Sequence, residues 1–119
     1  VLEVESLRDG WHKRTVDVDQ VTGERVMVEA SDTGLSLLKA SGHFFDTISR
    51  DTYTIDGNDP SRVSARCERS ITVGRGEWET RVETDSTMNF YLVNRLRAFE
   101  GAEQVFEKEW RKTVPRERV

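Results

Sequence analysis

Four side chains of this sequence invite a catalytic reading: Ser36, His43, Cys67 and, more weakly, His12. His43 lies within eight residues of Asp46 and Asp51, and an imidazole oriented by a carboxylate titrates near neutrality, where it can act as general acid or base. It also precedes Phe44-Phe45, a setting in which an isolated histidine packs; His12 beside Trp11 is read in the same way. Ser36 sits in Gly34-Leu35-Ser36-Leu37-Leu38, which lacks the second glycine of the Gly-x-Ser-x-Gly elbow. No acid lies between it and His43, so the chain order of an α/β-hydrolase triad is not met. Cys67 is the single cysteine, which excludes an internal disulfide and a multi-cysteine metal site. It fits a reducing, cytoplasmic setting and is expected to pack as a small apolar residue. No catalytic residue is predicted.

The oxygen-rich Asp56-Gly57-Asn58-Asp59 reads as a turn, since the glutamate that closes a calcium-binding loop does not follow in register. Asp17 and Asp19 could hold a cation only with help from another strand. Gly74-Arg75-Gly76 runs into Glu77 and a strand, not the helix that a phosphate cradle requires. Neither metal nor cofactor is expected. The aromatic residues Trp11, Trp78, Trp110, Phe44, Phe45, Phe90, Phe99 and Phe106 are core material first. An exposed subset would dock another protein surface sooner than a small molecule. The candidates for docking or ligand contact are Phe44, Phe45, Tyr53 and Trp110.

The elements that must position these residues are strands. Val is the commonest apolar residue and Thr is abundant, while Leu and Ala are scarce, a composition that favours sheet over helix. Turn signals cut the chain at Arg8-Asp9-Gly10, Thr22-Gly23, Ser31-Asp32-Thr33-Gly34, Ser41-Gly42, Asp56 to Pro60, Gly74-Arg75-Gly76, Asp85-Ser86 and Glu100-Gly101. Between them apolar residues alternate. Val16 with Val18, Val26 with Val28, and Tyr53 with Ile55 share a face; Ala65, Cys67, Ile71 and Val73 share one with Arg69 as an intruder. Trp78, Thr80, Val82 and Thr84 align, as do Phe90, Leu92, Leu96 and Ala98 with Asn94 among them. Residues 102–113 fit a helix by composition, but hairpin spacing across Glu100-Gly101 favours a strand. The expected fold is all-β: an antiparallel meander of about eight strands forming a curved sheet, barrel-like, clam-like or sandwiched.

The 119 residues make one domain with a thin core, for the hydrophobic share is 35% and the net charge −4. Net acidity argues against nucleic acid or an anionic membrane as partner, and Arg62, Arg66 and Arg69 are too sparse to reverse it. No apolar run reaches the ~18–20 residues of a membrane span, and the N-terminus lacks a secretory signal pattern. A soluble domain is expected. Its opening at Val1 suggests a piece of a longer polypeptide.

Asp51-Thr52-Tyr53-Thr54-Ile55-Asp56-Gly57-Asn58-Asp59-Pro60 with Ser64-Ala65 resembles the C-terminal region of the cocaine-esterase-like (CocE/NonD) hydrolases, relatives of the X-Pro dipeptidyl-peptidases. Further blocks agree in order and spacing: Arg75-Gly76-Glu77-Trp78, Arg81-Val82-Glu83-Thr84, Arg97-Ala98-Phe99-Glu100-Gly101, Val105-Phe106 with Trp110, and Val114-Pro115-Arg116. The likeness covers roughly residues 50–119. One departure is Ser61-Arg62-Val63, which separates Pro60 from the Ser-Ala pair. Members carry Ser, Asp and His on an α/β-hydrolase domain that precedes β-rich accessory domains, and none of those positions has a counterpart here. The resemblance therefore implies a non-catalytic C-terminal domain of a larger acyl esterase or peptidase. Its partner would be the parent's catalytic domain or a second copy, and its role docking, dimerisation or control of active-site access. The alternative is a free-standing barrel or clam that binds a small apolar or sugar-like ligand.

Overall fold

A computed structural model describes residues 3–59, 62–89 and 91–113. Phe90, Pro60-Ser61 and Val114-Pro115-Arg116 lie outside the described residues. Alternating sequence and frequent turns produce nine strands, and no helix occurs among the described residues: β1 Val4–Arg8, β2 Trp11–Val18, β3 Arg25–Asp32, β4 Leu35–Leu38, β5 His43–Ile55, β6 Val63–Arg75, β7 Trp78–Met88, β8 Tyr91–Glu100 and β9 Glu103–Thr113. Every pairing is antiparallel. Gly76 (φ 60°) and Gly101 (φ 59°) open two-residue hairpin connections, where a positive φ matches the twist of the flanking strands. The strand expected over residues 102–113 is β9, and its hairpin with β8 is the reason it does not coil into a helix.

The sheet is a meander from β5 to β9, but not before. β5 is a spine whose one edge is fully taken by β6 over residues 43–55. Its other edge is shared: Phe45, Phe44 and His43 pair with β4, and Ile48 to Ile55 pair with β3. β2 continues the sheet beyond β3, and β1 continues it beyond β4. The N-terminal strands thus form two short flaps side by side on one edge of the spine.

A clasp joins the flaps where they meet. The Arg8 guanidinium donates to both oxygens of Asp32 (3.0 and 2.9 Å) and lies 3.5 Å from Asp46 Oδ2. The Gly34 N–H donates to Asp32 Oδ1 at 2.8 Å. Asp32 and Asp46 are buried, and the cation between them offsets what two desolvated carboxylates would otherwise cost.

The sheet remains open and curved, so the barrel is not closed. The expected thin core is also absent: among the described residues no hydrophobic side chain is buried. One layer of sheet cannot enclose its own apolar face, and burial needs a second layer that these strands do not fold back to supply.

Candidate functional site

Residues directly opposite in an antiparallel ladder point to the same side, so the registers assign every strand residue to one of two faces. One face is apolar. From β5 it takes Phe45, Tyr53 and Ile55; from β6, Val63, Ile71 and Val73; from β7, Trp78, Val82 and Met88; from β9, Phe106 and Trp110; and from the flaps, Val4, Val16, Val18 and Met27. Twelve of the 18 exposed large hydrophobic residues lie here, each between 38% and 59% exposed. Such an expanse is far larger than the scattered apolar residues of an ordinary surface.

The opposite face is a lattice of charge. Arg66 is paired with Asp85 (2.7 Å) and Glu68, Arg81 and Arg97 with Glu83 (both 3.2 Å), and Arg95 and Arg111 with Glu109 (3.1 and 3.2 Å). The Arg66 hydrogen bond holds the Asp85 carboxyl below its ordinary value, although partial burial works against it. Arg111 first and then Arg95 do the same for Glu109. Several of these pairs link neighbouring strands across the face, although Arg81 Nε is buried without a hydrogen-bond acceptor.

A polar stripe crosses the apolar face at mid-height. Arg14, Glu29, Asp51, Cys67, Ser86 and Asn94 stand opposite one another on six successive strands, and Ser49, Arg69 and Thr84 form the row beside them. The Asp51 carboxylate raises the Tyr53 phenol above its ordinary value, and Cys67, Glu29 and Arg69 also act on it. Burial, and then the hydrogen bond to Asp51, push the Cys67 thiol up, which keeps it protonated and a poor nucleophile. Asp51 Oδ1 is buried without a donor. Arg69 forms no ion pair among the described residues.

Three of the four predicted docking residues, Phe45, Tyr53 and Trp110, lie on the apolar face, with the Lys108 ammonium 4.8 Å above the Trp110 ring. Phe44 lies on the other, where its ring occupies the space over Gly74. Ile71, Val73, Trp78 and Phe106 are equally prominent on the apolar face, and the alternation within each strand carries that signal. His43 and Asp46 form no dyad, since residues three apart on a strand face opposite sides; His43 Nδ1 instead meets Ser41 Oγ at 2.7 Å. Asp56 Oδ1 accepts the Asn58 N–H, and Asp19 Oδ1 accepts those of Val21 and Thr22, so both acids serve turns. Among the described residues no group of three His, Cys, Asp or Glu is placed to hold a metal. No helix there is long and apolar enough to cross a membrane. Comparison with family models, curated proteins and solved structures gave no match to this chain.

Proposed function

We propose that this chain is the non-catalytic, C-terminal β domain of a larger α/β-hydrolase-type acyl esterase or peptidase, and that its apolar face is a docking surface. The carrying observation is the pairing of a fully expressed apolar face with the lack of any buried hydrophobic side chain among the described residues. A sheet in this state gains its stability from whatever covers it, at ~25 cal/mol for each Å² of apolar surface removed from water. The hydrolase assignment rests on the sequence blocks from Asp51 onward. A docked domain of this kind completes an interface or narrows the approach to the parent's active site.

The ligand-binding alternative needs an enclosed space, and the open sheet supports it poorly. The test begins upstream in the reading frame, where a Gly-x-Ser-x-Gly element is expected. Purified, the 119-residue chain should not hydrolyse a p-nitrophenyl ester, whereas the longer polypeptide should. A complete gene without that element, or ester hydrolysis by the chain that is lost in His43→Ala, would sink the proposal.

A further inference from the structure

We infer that the occupant of the apolar face is a second copy of this chain, packed face to face as a two-fold β-sandwich in which Asp51 of each copy pairs with Arg69 of the other. The inference rests on the docking reading and names the partner. Area is the first ground. The molecule measures 54 Å by 30 Å in its longer directions, so a sheet face of this size offers each copy more than the ~800 Å² per partner of a standard interface.

Complementarity is the second ground. The polar stripe sits between two apolar regions, one around Ile71 and Trp78 and one around Tyr53 and Val63. A two-fold axis parallel to the strands leaves height along them unchanged, so stripe meets stripe and each apolar region meets its like. Strands of the two copies then run in nearly the same direction, as aligned sheet packing requires. With the axis between β5 and β6, each β5 lies over the partner's β6. Asp51 then stands diagonally across from Arg69 of the second copy. Within one copy these residues are not paired: Asp51 is opposite Cys67, and Arg69 is opposite Ser49. The arrangement gives the donorless Oδ1 of Asp51 a cation and supplies an anion to Arg69, which has no ion-pair partner among the described residues, both shielded from water, where such a pair fixes register.

Sedimentation equilibrium of the 119-residue chain tests this, with circular dichroism to confirm that each variant keeps its sheet. The wild type is expected to be a dimer. Asp51→Arg places two cations opposite each other and Arg69→Asp two anions, so each alone should dimerise on the order of 100-fold more weakly. Mixed in equal amounts, the two variants should form a heterodimer near wild-type strength, because one native Asp51–Arg69 pair remains and the other is restored with its signs exchanged. A folded wild-type monomer at 100 μM, about the concentration of a weak complex, overturns the inference. So do single variants that dimerise normally, or a mixture that stays monomeric. A wild-type monomer that binds the parent's catalytic part through Ile71 and Val73 would overturn the second copy while the docking reading stands. A dimer in a protein whose gene lacks a hydrolase domain would do the reverse.

Discussion

The two faces of this sheet are built from the same strands and obey opposite rules. On the charged face Arg66, Asp85, Glu83, Arg97, Arg95 and Glu109 find partners within the chain. On the apolar face Ile71, Val73, Trp78 and Phe106 meet water. Charge can be satisfied in two dimensions, by a neighbour across the ladder. Apolar surface needs a third, because burial requires a layer on top. In a single curved sheet most charges can therefore pair within the layer, whereas the apolar face stays uncovered.

The largest effect is expected where the charged face is also tightly packed. A side chain at Gly74 would meet the Phe44 ring and the Trp78 carbonyl, so Gly74→Val should lower unfolding stability by about 2–3 kcal/mol, read from the urea midpoint. Next comes the clasp. Arg8→Ala leaves Asp32 and Asp46 facing each other without a cation and should cost about 1–2 kcal/mol, a value reduced because Arg8 itself is 47% exposed.

A third change separates the faces. Ile71→Ser with Val73→Ser should weaken self-association about tenfold, roughly 1.4 kcal/mol, yet barely alter the sheet of an unassociated chain. Loss of strand signal in circular dichroism at low protein concentration would instead show that these residues hold the single layer together.

The smallest effect concerns Asp85. Its carboxyl is held below its ordinary 3.8 by Arg66, so the stabilisation is present above that value and disappears as pH falls through the lowered one. Asp85→Asn should remove about 0.5 kcal/mol at neutral pH and flatten the acid limb of the stability curve. An unchanged limb would show that the lattice on this face contributes no stability.

Much of the fold was legible. Alternation in Val16-Asp17-Val18 and Ile71-Thr72-Val73 fixes the strand type, and Gly76 and Gly101 mark hairpins that physics confines to short loops. The wrong expectation was the core. Period two says that one face of each strand is apolar, but it does not say that anything lies against that face. The interrupted pairing of β5 was equally hidden, since a 13-residue strand presents no sequence mark at the point where one neighbour gives way to another. Of the docking candidates, Phe45, Tyr53 and Trp110 share the apolar face, and Phe44 lies on the other because adjacent residues of a strand cannot share a face. The stripe was visible only as Arg69 and Asn94, two oddities on separate strands, until register aligned Asp51 and Cys67 with Glu29 and Ser86.

The shared spine also sets an order of events during synthesis. β6 to β9 follow β5 through short hairpins whose closure is entropically cheap, so they can pair as soon as they emerge. The free edges of β4 and β3 must wait for β5, although both strands leave the ribosome first. For that interval the nascent chain carries unpaired strand edges, and β2 with β3 and β1 with β4 are the N-terminal pairings that do not involve the spine.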